Sequence, residues 1–396
     1  MRTMVCDPRS DPAALQLLAA AQRRLTNDRA RPYAVTVARA CTFVVLVGGV
    51  VGFVALVGCR QLAGIDDPIT VDGRGSLCYG SGLVQVCFDA RPTGALELTQ
   101  DLVTASASCS THVVSDSGAG ACVVAASTIS LAAGARVHAS GPDPHVPLVL
   151  VGVDTITIAG TLDVAGHLGA SAPPAGGAYF ACLTGTDASS GTYGGGGQGG
   201  SFLDEGGDGG AGGTTIGGQA GNSLGNPVQL HGGCNGRPGG NGGGAGGLGG
   251  GAVYLIAQTS ISIAGRIDAS GGAGGAAIVV GAGGGAGGSG GTIGIDAPAV
   301  EIAGAVCAIG GSGAAGSSTG PSVSGGDAVG GSTSCTAGDP GAADPGAGGG
   351  GLGALNGMGQ NGHPGVAGGG GGGGGSSGYV RIEGARSGGG AVQPPG

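Results

Sequence analysis

Six histidines stand at positions 112, 138, 145, 167, 231 and 363. None falls into His-Glu-x-x-His or another spacing that holds zinc, so no metal site is expected. His138 and His167 read as solvated strand or loop residues. Asp163 and Asp268 occupy equivalent outward places in two similar segments. Two carboxylates without a basic partner make a poor active site, so a solvated strand face is the expectation. Gly287–Gly291 reads Gly-Gly-Ser-Gly-Gly. It matches the G-x-S-x-G elbow that presents a nucleophilic serine. In a chain with 101 glycines such a match arises by chance, and no strand–elbow–helix context surrounds Ser289. All 15 basic residues are arginine. Without lysine there is no P-loop, Schiff base or kinase-type strand lysine. No catalytic residue and no cofactor is therefore expected.

The cysteines carry a different chemistry. Eleven are present. Cys6 and Cys41 lie in an amino-terminal leader and Cys59 at its end. The other eight are Cys78, Cys87, Cys109, Cys122, Cys182, Cys234, Cys307 and Cys335. An even number outside the cytoplasm points to disulfides, with sequential pairing the simplest of many connectivities. Cys78 and Cys87 bracket a Gly-Ser-Gly turn, and Cys109 and Cys122 bracket a polar loop. The later pairs would close glycine-rich loops. No two cysteines are closer than nine residues, which excludes the Cys-x-x-Cys zinc spacing.

Residues 40–58 are uncharged and apolar, and Arg23, Arg24, Arg29, Arg31 and Arg39 precede them. A basic stretch followed by an apolar one is the pattern of an export signal. The run ends Leu56-Val57-Gly58-Cys59, which resembles a bacterial lipobox. The resemblance implies cleavage between Gly58 and Cys59 and a diacylglyceryl group on the Cys59 sulfur. Arg60 after that cysteine, by the same resemblance, implies delivery to the outer membrane. The alternative is an uncleaved span, since 19 apolar residues are about long enough to cross a bilayer. Residues 60–396 then form a periplasmic domain of a single-span inner-membrane protein. In either case they lie outside the cytoplasm.

The elements that would position all these groups show as a repeat. ITIAGTLDV (156–164), ISIAGRIDA (261–269) and VEIAGAVCA (300–308) align without gaps, and ISLAAGARVHA (129–139) is a looser fourth copy. Apolar residues alternate with the strand period. Gly160, Gly265 and Gly304 share one position, read as a tight corner between two short strands. Strand–corner–strand units that cannot bury an apolar row alone predict an all-β chain. The expected fold is a β-solenoid, a right-handed parallel β-helix, behind an amino-terminal apolar helix; a β-sandwich of the same strands is the runner-up.

The predicted organisation follows. Residues 1–58 are the leader and 59–75 a lipidated tether. Residues 76–165 hold a cysteine-rich β region and the first repeats. A glycine-rich insert covers 166–250. Further repeats fill 251–309, interrupted by a short insert at 271–290. Another insert covers 310–377, and 378–396 form the last strand and tail. The inserts contain Gly-Gly-x triplets, which fit an extended helix with three residues per turn. They form either side-by-side polyglycine helices or flexible linkers. This stretch is similar to the PGRS-type repeats of high-GC bacteria. The chain as a whole resembles uncharacterised glycine-rich lipoproteins of such organisms, which implies a surface location and no established activity.

Residues 59–396 carry eight arginines and 21 acids, a formal charge of −13. That balance, with aromatics at 3%, excludes nucleic acid as a partner. The reading is a lipid-anchored envelope protein with a structural or adhesive role, no catalysis, and membrane, surface polysaccharide or a neighbouring cell as partners. Its rival is a carbohydrate-binding or polysaccharide-degrading β-helix. The rival requires Asp163 and Asp268 to meet several of Tyr179, Phe180, Tyr193, Phe202, Tyr254 and Tyr379 in one groove.

Overall fold

A computed structural model describes residues 70–71, 77–104, 109, 111–114, 120–143, 145–170, 172–177, 182, 185–328 and 333–395. The leader, Gly58, Cys59, nearly all of the tether, Tyr179 and Phe180 lie outside the described residues. Among the described residues no helix is long and apolar enough to cross a membrane. The chain divides into two units, Met1–Leu77 and Cys78–Gly396. The first contributes β1 (Thr70–Val71) to the description.

Next along the chain come β2 (Leu77–Tyr79), β3 (Val86–Phe88), β4 (Ala95–Glu97), β5 (Leu102–Val103) and β6 (Thr111–Val114). Then come β7 (Gly120–Leu131), β8 (Arg136–Ser140), β9 (Leu148–Ile158) and β10 (Thr161–Asp163). After the first glycine insert follow β11 (Ala252–Ala257), β12 (Ser260–Ile263) and β13 (Arg266–Asp268). The rest are β14 (Thr292–Ile302), β15 (Ala305–Cys307), β16 (Tyr379–Ser387) and β17 (Ala391–Gln393).

Two larger sheets face one core. One runs β17-β15-β13-β10-β8-β5. The other runs β11-β14-β12-β9-β7-β4, with β16 on β14 and β6 on β7. In the first, Val137, Leu162, Ile267, Val306 and Val392 pair in register as one inward row. That row joins Ile156, Ile158, Ile261, Ile263, Val300 and Ile302 of the second sheet in a single buried cluster. Each such side chain contributes about 1.5–3 kcal/mol when fully buried.

This arrangement corrects the expected β-solenoid. The larger sheet is mixed, because β6 runs antiparallel to β7. Its centre closes on itself as four parallel strands, β9–β11–β14–β12. β9 and β14 are 11 residues long, and the chain between them breaks at Gln258–Thr259 into β11 and β12. The level between β9 and β14 therefore differs from its neighbours, being two short strands where they are one long strand each. The described residues contain no helix.

The shared glycine corner is real, but its cause is close approach, not an unusual φ. A Cβ on Gly265 would collide with the carbonyl oxygen of Gly160, and one on Gly304 with that of Gly265. The corners stack directly on one another, and only a residue without a side chain fits.

The inserts form an ordered body. Gly197 N donates to Gly284 O (3.0 Å), Gly284 N to Gly370 O (2.9 Å) and Gly370 N to Gly194 O (2.9 Å). Three residues further on the trio repeats: Gly200 to Gly287 (3.0 Å), Gly287 to Gly373 (3.0 Å) and Gly373 to Gly197 (2.9 Å). A three-residue period is that of an extended threefold helix, and here three parallel runs bond in a ring. Further runs join antiparallel, as where Gly196 N meets Gly210 O and Gly199 N meets Gly207 O, both at 2.8 Å. Each insert returns to the place it left. Gly251 N donates to Val164 O (2.7 Å), Gly291 N to Ala269 O (2.8 Å) and Gly378 N to Ala308 O (2.7 Å).

Candidate functional site: an ionic ladder beneath the last insert

The outward side of the β8-β10-β13-β15 sheet carries two columns of polar side chains. Register places His138, Asp163, Asp268 and Cys307 in one, and Arg136, Thr161 and Arg266 in the other. The parallel ladder fixes these neighbours, since matched residues on adjacent strands point the same way. Asp163 is 2% exposed, Asp268 8% and Arg266 5%. The expectation of a solvated strand face thus fails for both aspartates. Arg266 and Asp268 lie under a strap of the last insert at Ser334 and Cys335, held by the Cys307–Cys335 disulfide and by the Arg266 Nη1 bond to Ser334 O (2.9 Å), whereas Asp163 is enclosed by Arg136 and His167.

Beneath the strap the charges are paired. Arg266 donates from Nε (2.9 Å) and Nη2 (2.7 Å) to Asp268 Oδ2. Ser270 donates from its amide (3.1 Å) and hydroxyl (2.6 Å) to Asp268 Oδ1. Removing one partner of a buried pair leaves the other charge uncompensated, which costs about 3–5 kcal/mol. One level across, Asp163 accepts from Arg136 Nε (3.0 Å) and Nη2, from His167 Nε2 (3.0 Å) and from Ala165 N (2.9 Å). His167 Nδ1 lies 3.7 Å from Asp327 Oδ2. Asp327 also accepts from Leu168 N (3.1 Å) and Ala273 N (2.7 Å), joining three stretches of chain.

The electrostatics follow. The Asp163 bond, then Asp327, hold His167 protonated, with its pKa raised to about 10 against the opposing effect of burial. Burial pushes the Asp163 carboxyl up, but bonds from His167, Ala165 and Arg136 outweigh it and hold the group well below the usual range. Asp327 is likewise depressed, its burial outweighed by His167 and two backbone amides.

His138, Asp163 and His167 bring one ligand atom each within 4.8 Å of one another. Chemically this is a two-histidine, one-carboxylate set. Two cations already claim Asp163, however, and Arg136 Nη2 sits 3.4 Å from His167 Nε2 over the same carboxylate. A metal ion would have to displace a guanidinium and a proton together. The cluster therefore reads as an ion-pair lock.

The remaining sequence candidates are placed as follows. The cysteines pair as Cys78–Cys87, Cys109–Cys122, Cys182–Cys234 and Cys307–Cys335. Ser289 is fully buried, and its hydroxyl accepts from Cys234 N (2.7 Å), a structural role. Phe202 packs edge-on against His231 at 5.1 Å, and Tyr254 is buried in the sheet. Tyr193 stands between Gly213 and Gly281 in the glycine body. Tyr379 borders a cavity at the carboxyl-terminal edge. Among the described residues, the aromatics and the two aspartates do not converge on a groove.

Sequence reasoning missed Arg136, Arg266 and Asp327. The repeats did carry a signal for the arginines, since aligning 129–139 with 261–269 puts both in one column. Asp327 gave none: its partner His167 lies 160 residues away. No protein family, curated protein or solved structure matches this chain.

Proposed function

We propose that this chain is a non-enzymatic envelope protein with a structural or adhesive role, anchored outside the cytoplasm through lipid on Cys59. The observation that carries the reading is a set of apolar turns on the glycine body. The runs Gly281–Gly290 and Gly369–Ser377 enter β14 and β16 at their carboxyl ends. Their amino ends are remote from the sheets, by roughly 30 Å for ten residues at about 3.1 Å each. The turns there expose Ile278 (74%), Val280 (60%) and Val366 (87%), with Val279 beside them. Ile216 is exposed on a neighbouring turn, whose carbonyl accepts from Ser189 N. Exposed apolar residues grouped at one end mark contact surfaces. Four disulfides also support an oxidising compartment.

The test is retention of cells that display the chain on surface polysaccharide or on neighbouring cells. Replacing Ile278, Val279 and Val280 together by serine should lower retention severalfold with an unchanged thermal midpoint. Equal retention would overturn the adhesive role. Mass spectrometry of membrane-extracted protein should find a thioether-linked diacylglyceryl group on Cys59; an unprocessed chain would overturn the anchor.

A further inference from the structure

A cavity of about 320 Å³ opens beside β16, bordered by the end of the chain and by turns of the glycine body. Its size is at the small end for ligand pockets. Tyr379, on the first position of β16, offers a partly exposed ring. Pro394 and Pro395 border it as apolar residues. Asp204, Asn226 and Asn356 line the same space, and their side chains take no hydrogen bond from other described residues. Arg381 also borders it but is already paired with Glu383.

These features select a ligand class. A carboxylate and two carboxamides offer both donors and acceptors, the chemistry that adjacent hydroxyls require. An aromatic face beside them suits the C–H side of a pyranose ring. The charge balance disfavours phosphate, sulfate and uronic acids: the one guanidinium is neutralised by Glu383, and Asp204 repels anions. A flat nucleobase would need a second aromatic face, and among the described residues Tyr379 is the one aromatic in the lining.

We propose that this cavity binds a neutral hexopyranose unit, free or at the end of a glycan. Tyr379 is the platform for the ring, and Asp204, Asn226 and Asn356 are the hydroxyl partners. The inference goes beyond the adhesive role. None of the apolar turn residues lines the cavity, so losing sugar binding and losing retention are separate results.

The experiment is saturation-transfer NMR and calorimetry of the oxidised full chain with glucose, galactose, mannose and their short oligosaccharides. At least one should bind saturably, with transfer strongest to one face of the ring. Asp204→Asn and Asn356→Ala, both outside the strands, should each weaken that binding at least tenfold without moving the thermal midpoint. Tyr379→Leu should abolish the face-selective transfer. Tighter binding of an oligosaccharide than of its hexose assigns the site to a glycan end, and equal binding assigns it to the free sugar. No saturable binding across the panel would overturn the proposal. So would binding that survives both polar substitutions, or a preference for glucuronate over glucose.

Discussion

His167 is where a single side chain ties the sheet to the glycine body, through Asp163 on one ring nitrogen and Asp327 on the other. Its pKa stands at about 10 in the fold and near 6.5 in the unfolded chain. A raised folded value stabilises fully below the unfolded value and is lost as pH rises through the folded one. The thermal midpoint should therefore decline between about pH 6.5 and pH 10, and His167→Gln should flatten that decline. The depressed Asp163 and Asp327 act in the other direction, stabilising above the usual carboxylate range and losing that effect in acid. A pH series of melts on both proteins checks the alkaline limb; an unchanged slope in the variant would remove the lock.

At the scale of elements, the glycine runs depend on the absence of a methyl group at inward positions. A Cβ on Gly283 would overlap the Gly195 carbonyl oxygen, whereas one on Gly320 meets nothing within 4 Å. Gly283→Ala should thus lower the unfolding free energy by more than about 2 kcal/mol, as overpacking does. Gly320→Ala should stay within about 0.5 kcal/mol of the parent. Denaturant titration of the two variants makes the comparison. Strand positions were legible from Ile156, Ile158, Leu162 and their equivalents, because alternation reports a buried face. Sheet assembly was not, since the length of β9 and β14 and the reversal of β6 depend on neighbours far along the chain. The ionic column was half legible: equivalent aspartates showed in the repeat, but their burial came from His167 and from the stretch at Ser334 and Cys335, both in inserts that the repeat does not encode.

For the whole molecule, the longest covalent closure is Cys182–Cys234, spanning 52 residues of the first insert. Loop-closure entropy assigns such a link about 4 kcal/mol, a figure that depends on the model of the unfolded chain. Replacing both cysteines by serine should lower the unfolding free energy by up to that amount, while a double replacement at Cys78 and Cys87 should cost less. Guanidinium melts of the two variants decide it, and a larger loss from the shorter loop would contradict the entropic account. The ring of parallel runs has a mechanical consequence as well. A pull on the remote turns travels along the run axes and meets the bonds between runs in shear, many at once. Because each insert leaves and re-enters the sheets on adjacent backbone positions, the load passes to both ends of the run together. A body made of bare backbone can in this way bear tension that a tether of the same glycines would yield to.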